Sequence, residues 1–451
     1  MESVLKMKLY LDSKAQRILD GQSKILNWLY NHLLEEAHDL RARYQEDRDP
    51  ITGQTLYGKR GLRNLIPTLK QKFLFLKTVH SSPLKNAALR LGESITAYQK
   101  SRKGKRKGKK CGWPKFRSQK RKFFSLLYDE PGKGFKVDGK SLRISLGRDA
   151  DGTRLHLEGV LERSLDDFKE REIRNLRLTS ECGEYFAIFT VKEPEPAKKP
   201  PQKVIALDPN HKNLAYGVGS DEKAYEFKNP WFLKKLQVRI DQVKSRRDHT
   251  LRKSVKIERE DGRSFFLHSR RWNYFNKKLE NLYRVRREQT KTYLYTVSHF
   301  LCCNYDVISI GDYIPRGGGI SKGMRRAMNN ESLIGRFKEI LSWVATKSGK
   351  YYMEWEEKGS TRTCYHCGHV IEGGISPDIR IWQCPNEGCQ KVNYRDENAA
   401  LNGLKVTYKN FKSPGSGHFV LPDHIPDKMR WALRYNGLGL QSRLIPGIVM
   451  G

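Results

Sequence analysis

Four cysteines grouped as two close pairs constrain the fold of this chain more than any other feature. Two residues separate Cys364 from Cys367, four separate Cys384 from Cys389, and sixteen lie between the pairs. This spacing is typical of a zinc ribbon, in which four thiolates surround one structural Zn²⁺ and leave no open coordination position. A redox-active Cys-x-x-Cys pair is the alternative for the first two cysteines. His366 lies between them, but four thiolates already complete a tetrahedral site, so we expect it to be a neighbour and not a ligand.

The charge of the chain is the second constraint. The 451 residues include 86 Lys and Arg against 50 Asp and Glu, and the net charge of +36 would destabilise a compact state unless a polyanion neutralised it. The cations are spread along the chain and do not form one basic amphipathic helix, which favours nucleic acid over a membrane surface as the partner. No segment of about 18 to 20 apolar residues predicts a membrane span, and the first residues lack a signal-peptide pattern, so we expect an intracellular protein.

Local patterns predict a helical module in the first part of the chain. Residues 12–110 are assigned to it, because apolar residues such as Ile18, Ile25 and Leu29 recur at helical spacing. At the end of this module, residues 101–110 carry seven cations and no acid. Such a run indicates either a phosphate-binding loop or a solvated, disordered one.

Short segments of β-type sequence follow over residues 112–191, with a hairpin signal at Asp138-Gly139. They predict a small, mostly β domain. The run at 192–203 holds four prolines and four lysines, which cannot continue a sheet and which favour an extended linker. A new domain is therefore expected to begin at Val204.

Carboxylates at the ends of predicted elements are candidates for a catalytic metal site. The apolar strand VIALD ends at Asp208, and Asp396 lies at the start of a predicted helix directly after the cysteine cluster. Hydrolysis of a phosphodiester by two hard divalent cations needs carboxylates that converge from different strands and a helix. Taken singly, an Asp after a strand is more often a turn residue, and Asp396 would be interpreted as a helix N-cap.

The order of these features resembles the TnpB family, which is associated with transposons and related to the Fanzors and to compact type V CRISPR effectors. The resemblance is carried by the LYLD start, by Tyr30-Asn31, by GWPKFR at 112–117 and by residues 204 to about 404. Its most specific part is the cysteine cluster flanked by STRTC and RDENAA.

This resemblance implies an α+β multi-domain fold. It predicts a β-barrel-like wedge domain (1–11 and 111–192), a helical recognition module (12–110), a linker (193–203), an RNase H-like (RuvC) α/β domain (204–361 and 392–404) with an inserted zinc ribbon (362–391), and an unassigned C-terminal segment (405–451). It further implies an RNA-guided DNA endonuclease of the prokaryotic cytoplasm, associated with the nucleoid. The implied partners are a guide RNA and double-stranded target DNA, and the implied cofactors are two catalytic Mg²⁺ ions and one structural Zn²⁺.

One position departs from the family pattern. The family's second acid usually follows an apolar strand as Glu-Asp, but here Gly311-Asp312 follow that strand. A shift of one residue turns a side chain to the opposite face of a strand, so Asp312 is a poor substitute. The Fanzors and some TnpB proteins place this Glu on the strand just before the ribbon. This chain has EWEE there, and Glu357 matches that position.

The resemblance therefore predicts that Asp208, Glu357 and Asp396 are the catalytic residues and the magnesium ligands. Glu354 and Glu356 are expected on the opposite face if the strand is regular. The alternative is that all three glutamates of this segment are solvated surface residues.

Two other functions compete with an endonuclease. Gly311 is compatible with a guide-dependent DNA-binding protein that has lost its nuclease and acts as a repressor or targeting factor, because two remaining aspartates would hold metal weakly. A transposase of the single-strand type has less support. Such an enzyme needs a tyrosine nucleophile with a pair of histidines, and the chain has no His-x-His pattern.

Overall fold

The structure, a computed structural model, describes most of the chain as two units, Met1–Pro194 and Glu195–Gly451. The division falls within the predicted linker. The described residues are 1–43, 58–106, 108–118, 123–166, 172–210, 213–230, 232–258, 264–313, 332–376, 378–411, 430–433 and 445–446. Most of the C-terminal segment from residue 412 onward lies outside these ranges. Within them, no helix has both the length and the apolar composition needed to cross a membrane.

Helices in the first unit form where the apolar spacing predicts them. Leu19, Leu29 and Leu33 follow one stripe of the first helix, and all three are fully buried in the core of this unit. The elements, in chain order, are β1 (Glu2–Tyr10), α1 (Ser13–Arg43), α2 (Lys59–Asn64), α3 (Ile66–Lys72), a 3-10 helix (Leu74–Thr78) and α4 (Ser81–Arg102).

The same unit contains one antiparallel sheet of seven strands. Besides β1, its strands are β2 (Ser125–Tyr128), β3 (Phe135–Asp138), β4 (Ser141–Arg148), β5 (Arg154–Leu161), β6 (Glu172–Glu181) and β7 (Glu184–Lys192). Their order is β2-β6-β7-β1-β5-β4-β3. The predicted hairpin is present, because Asp138 pairs with Ser141. Gly139 has a φ of +55° in its turn, a conformation that glycine adopts without a steric penalty.

A second seven-stranded sheet organises the other unit. Its elements are β8 (Val204–Asp208), β9 (Asn213–Gly219), β10 (Ala224–Lys228), α5 (Phe232–Thr250), β11 (Val255–Glu258), β12 (Ser264–Leu267), α6 (Arg270–Asn304), β13 (Val307–Gly311), α7 (Ile334–Lys347), β14 (Tyr351–Trp355), β15 (Ile381–Gln383), β16 (Val392–Tyr394), α8 (Arg395–Asn410), β17 (Arg430–Leu433) and β18 (Ile445–Pro446). The sheet order is β14-β13-β8-β9-β10-β17-β18. Strands β14, β13 and β8 are neighbours and run parallel, so their carboxyl ends meet at one edge of the sheet.

The alternation of side chains along β8 separates two helical layers. Ile205 and Leu207 pack in a core with residues of α5, α6 and α7. Val204 and Ala206 pack in a second core with residues of α8. Because side chains alternate with a period of two, Asp208 belongs to the face that α8 covers.

Strand β13 repeats this division. Ile308 and Ile310 belong to the core formed with α5, α6 and α7. Ser309 points to the other face, where its Oγ lies 2.7 Å from Oγ1 of Thr407 in α8. A side chain at position 311 would therefore share its face with Asp208, and the carboxyl ends of the two strands are adjacent.

Close packing against β14 fixes the position of α8. Trp355, the last residue of β14, is 2% exposed, and its indole lies directly against Gly403 of α8. A Cβ added at Gly403 would lie 2.5 Å from Cε2 of this ring. The missing side chain thus allows the helix to approach the carboxyl ends of the parallel strands.

We predict that Gly403→Ala destabilises the protein. Alanine gains up to about 1 kcal/mol of helix propensity over glycine, but overpacking a rigid indole costs about 1 to 3 kcal/mol, so the net change should be unfavourable. Gly335→Ala is the matched control, because that glycine lies in α7 of the same unit with no neighbouring atom within 4 Å of an added Cβ. Thermal unfolding would contradict this packing argument if the two variants shifted the melting temperature alike.

Candidate metal centres

The four cysteines lie together in the second unit. Their sulfur atoms are all within 4.8 Å of one another. The Sγ atoms of Cys364 and Cys389 are 3.9 Å apart, and those of Cys367 and Cys384 are 3.6 Å apart. A tetrahedron with Zn–S bonds of about 2.3 Å has sulfur–sulfur edges of about 3.8 Å, so the spacing fits a single Zn²⁺.

His366 is not a member of the four-cysteine group. Its ring contacts that of Tyr365, with ring centroids 5.5 Å apart. The strands β15 and β16 pair beside the cysteines and supply the antiparallel hairpin of the cluster. Asn393 of this hairpin donates a hydrogen bond from Nδ2 to the sulfur of Cys364 at 3.6 Å, the kind of outer contact that orients a metal-bound thiolate.

Two asparagines of α8 attach the cysteine segment to the helix. Nδ2 of Asn398 donates to the carbonyl oxygens of Ser360 and Thr363, and its Oδ1 accepts from the backbone N–H of Tyr365 at 2.8 Å. Asn402, one turn further along, donates to the same two carbonyl oxygens. Asn398 is the asparagine of the RDENAA sequence. Because residues four apart lie on one face of a helix, Asn398 and Asn402 can bind the same two carbonyl oxygens, which explains the role of this asparagine.

Asp208 ends a strand that is buried along its whole length, and its side chain is 6% exposed. Burial raises its pKa well above the usual value, and the neighbouring charges of Glu357 and Asp396 raise it further. Arg395 and Arg380 act in the opposite direction, without cancelling the effect. Glu357 and Asp396 are therefore each within electrostatic range of Asp208.

Asp396 is held by an arginine from the cysteine segment. Nη1 of Arg380 lies 3.0 Å from Oδ1 and 3.3 Å from Oδ2 of Asp396. The interpretation of Asp396 as an N-cap is wrong, because α8 begins after Tyr394 and Asp396 lies within its first turn. A carboxylate there is stabilised by the partial positive charge at the helix N-terminus.

Glu357 occupies the space that a side chain at position 311 would need. A Cβ added to Gly311 would lie 2.5 Å from Cδ of Glu357 and closer still to its Cγ and Oε1. Glu357 lies two residues beyond the end of β14, so it is not a strand residue as the sequence suggested. Its carboxylate nevertheless lies beside Gly311, at the carboxyl end of β13.

Burial and the charge of Asp312 raise the pKa of Glu357 to about 7, while Lys338 and the backbone N–H of Tyr313 act in the opposite direction. Oε1 of Glu357 is buried and has no hydrogen-bond partner among the described residues. The carboxylate of Asp312 accepts the backbone N–H of Glu357 at 3.1 Å, so this acid supports the segment.

The other two glutamates of the EWEE segment are exposed. Glu354 contacts Nζ of Lys338 at 3.0 Å and the hydroxyl of Tyr352 at 2.9 Å. Among the described residues, the four cysteines are the one group of three or more His, Cys, Asp or Glu side chains whose ligand atoms lie close enough to hold a metal ion.

Sequence reasoning missed two arginines. Besides Arg380, Arg395 donates to the carbonyl oxygens of Ile375 and Ser376 and so fastens the cysteine segment to the start of α8. Arg395 directly precedes Asp396 in the sequence, so its position near the site could have been predicted. Arg380 lies sixteen residues away from the acid it contacts, and no periodicity connects the two.

Comparison with known proteins places these features in a family. Residues 335–403, which include α7, β14, the cysteine cluster and the first part of α8, match the family model "Cas12f1-like, TNB domain". TnpB-like proteins L79 and L770 of Acanthamoeba polyphaga mimivirus are each 32% identical to the chain over 149 residues. The aligned part is 32% of this chain and 28% of the length of each relative.

The likeness to a solved structure extends over more of the chain. The structure of the Cas12f1–sgRNA–target DNA complex, determined by cryo-EM, superimposes with a TM-score of 0.55 at 12% sequence identity. The match covers 89% of this chain and 98% of that chain, so the likeness is one of a mixed α/β, multi-domain fold. The part of the chain around the cysteine cluster is thus similar to TnpB-like proteins, and the chain as a whole has a fold similar to that of Cas12f1.

Proposed function

We propose that the protein is an RNA-guided DNA endonuclease whose catalytic residues are Asp208, Glu357 and Asp396. The observation that carries this proposal is the position of Glu357, whose carboxylate fills the space above Gly311 on the face of the sheet that contains Asp208. The acid that the family pattern has at position 311 is thereby supplied from a different stretch of chain. Asp396 contributes from the first turn of α8.

Guide RNA and double-stranded target DNA are the proposed partners. The related Cas12f1 structure is a complex with sgRNA and target DNA. The net charge of +36 requires a large polyanion, and cations dispersed along the chain suit the backbone of a heteroduplex better than one recognition helix would. Sequence choice would then rest on base pairing with the guide, and the protein would recognise a short flanking motif.

The donor set fits Mg²⁺. All three side chains offer hard oxygen ligands, and Oε1 of Glu357 is a buried acceptor without a partner in the described part of the chain. Two such ions would activate water and stabilise the leaving oxygen. The protein's own part is to hold the buried Asp208 near the partly buried Glu357 and Asp396.

The domain assignment follows from the same proposal. The second unit would be the RNase H-like (RuvC) domain, with residues 362–391 as a zinc ribbon that braces α8. Residues 12–110 would form the recognition module, and the sheet built from residues 1–11 and 111–192 would be the wedge domain.

A guide-dependent DNA-binding protein without nuclease activity is the second candidate. The contact that favours it is the double hydrogen bond from Arg380 to Asp396, which satisfies a carboxylate that an ion would otherwise bind. In that case the complex would bind matched DNA tightly at millimolar Mg²⁺ and release no cleaved product.

Replacement of Asp208 distinguishes the two candidates. We expect Asp208→Asn to abolish cleavage of a matched target and to leave target binding intact. Because burial and two neighbouring carboxylates disfavour the charged Asp208, the metal-free variant should unfold at the same temperature as the parent or at a higher one. Asp241→Asn on the exposed side of α5 is the control. Equal cleavage rates for Asp208→Asn and the parent would refute the assignment of this residue.

An exchange of positions tests the origin of the second acid. Glu357→Gln should slow cleavage at least about 100-fold, since a metal-bound carboxylate contributes several kcal/mol to the transition state. The double variant Gly311→Glu/Glu357→Ala should recover part of the activity that Glu357→Ala loses, because alanine removes the Cγ and Cδ atoms that a side chain at position 311 would meet. Gly311→Glu in the parent should slow cleavage, because two carboxylates would compete for one space. Glu356→Gln, at an exposed position, should cleave like the parent. Full activity of Glu357→Gln would show that this glutamate is not a ligand.

Metal analysis tests the cysteine cluster. We expect one zinc per chain by mass spectrometry of the purified protein, and loss of that zinc in Cys384→Ser. Because Asn398 and Asn402 connect the cluster to α8, the same variant should also cleave more slowly. Cys303→Ser, at an exposed cysteine outside the cluster, should retain both zinc and activity. Stoichiometric zinc in Cys384→Ser would contradict the proposed ligand set.

A further inference from the structure

A cavity of about 790 Å³ lies within the first unit. It is bounded by the outer face of β3, β4 and β5, by the turn at 130–134, and by residues 77–81 before α4. Gly147 of β4 allows this last segment to lie on the sheet, because a Cβ there would be 2.6 Å from the backbone nitrogen of Val79. The volume is within the range of about 300 to 1,000 Å³ that is usual for ligand pockets.

The charged side chains around this cavity are almost all cations. Four come from the sheet, namely Lys136, Arg143, Arg148 and Arg154. Three come from the other walls, namely Lys70, Lys77 and Lys133. The one carboxylate in the lining, Glu130, lies 3.4 Å from Nζ of Lys85 and is therefore already paired.

The strand register places like charges opposite each other. Lys136 pairs with Arg143 across β3 and β4, and Arg148 pairs with Arg154 across β4 and β5. Like charges directly opposite in a sheet are destabilising. Glu158 lies 4.0 Å from Arg143, but among the described residues no carboxylate forms an ion pair with the other three cations. Without an anion, this face of the sheet is electrostatically unfavourable.

The wall of the cavity that faces the sheet is also positively charged. Nζ of Lys70 is half-buried and donates to Oγ of Ser81 at 3.2 Å. Burial and the nearby Lys85 lower the pKa of Lys70, so its charged form is disfavoured in the absence of an anion. Ser81 is the first residue of α4, and although His80 accepts the N–H of Ser82, the helix N-terminus adds positive potential to the cavity.

We propose that this cavity binds the 5′-terminal oligophosphate of an RNA transcript. An internal stretch of a strand offers one negative charge per nucleotide, whereas a terminal phosphate alone carries about −1.5 to −2. Seven cations around one cavity match the denser charge of an oligophosphate end. Walls on several sides also suit a strand end better than a continuous duplex, and transcription leaves such an end on RNA. The inference rests on the proposed function only in taking RNA as a partner.

Direct binding of short RNAs to the full-length protein tests this inference. We expect an RNA with a 5′-triphosphate to bind about tenfold more tightly than the same sequence with a 5′-hydroxyl, as one set of charge-assisted hydrogen bonds would allow. Arg148→Ala/Arg154→Ala should abolish this preference. It should also make the log–log salt dependence shallower by about 1.4, at about 0.7 per phosphate contact for a single strand. Lys136→Gln should weaken the preference in the same direction.

Controls separate this site from a general basic surface. Arg60→Ala/Arg63→Ala removes two exposed cations of α2 that do not line the cavity, and it should keep the preference. The Arg148/Arg154 variant should not unfold at a lower temperature than the parent, because a like-charge pair has been removed. Inorganic tripolyphosphate should compete with the triphosphate RNA and not with the hydroxyl RNA.

Three results would overturn the inference. They are equal affinity of the parent for both RNAs, a preference that survives in the Arg148/Arg154 variant, and displacement of the triphosphate RNA by ATP at a far lower concentration than by tripolyphosphate. The last result would show that the pocket recognises the nucleoside as well as the phosphates, and so binds free nucleotides and not strand ends. Guided DNA cleavage plays no part in this binding assay, so its loss or retention tests the proposed function separately.

Discussion

A buried carboxylate next to other carboxylates is unstable as a charged group unless cations compensate it, and Asp208 is in that position. Desolvation disfavours its ionised form, and Glu357 and Asp396 add repulsion. Arg380 and Arg395 offset part of this cost but not all of it, since the pKa of Asp208 stays well above its usual value. The surrounding fold must therefore hold these side chains together against their own repulsion, and divalent cations would remove most of that repulsion.

The parts of this site that local sequence patterns determine could be predicted. The apolar run VIALD predicts a buried strand that ends at Asp208, and the cysteine spacing predicts that the four sulfur atoms meet, because both depend on short-range geometry. Glu357 could be found only through resemblance to a family. It lies beyond the end of β14, where no strand periodicity applies, and its position depends on the empty space above Gly311. The contact of Arg380 with Asp396 depends on how a loop folds back, which no local pattern encodes.

The cysteine cluster and the carboxylates are mechanically connected although the cysteines themselves are not catalytic candidates. Asn398 and Asn402 fasten residues 360–365 to α8, and Arg380, from the segment between the two cysteine pairs, contacts Asp396 in the first turn of the same helix. If the four cysteines bind zinc as proposed, loss of that zinc would free the segment that supplies these contacts, since such small polar segments depend on metal coordination for their folding free energy. The cysteine cluster would thus influence the carboxylates through the position of one helix.

The two units carry opposite versions of one electrostatic arrangement. In the second unit, Asp208, Glu357 and Asp396 lie near the carboxyl ends of the parallel strands. In the first, the pair Arg148 and Arg154 and its cationic neighbours surround a cavity without enough carboxylates to balance them. Each arrangement lowers the stability of the free chain, and each is relieved by an ion or group of the opposite charge. Stability and binding are therefore opposed at both sites. Substitutions that neutralise these charges should preserve the fold, but they should weaken the binding of cations by the carboxylates and of anions by the cavity.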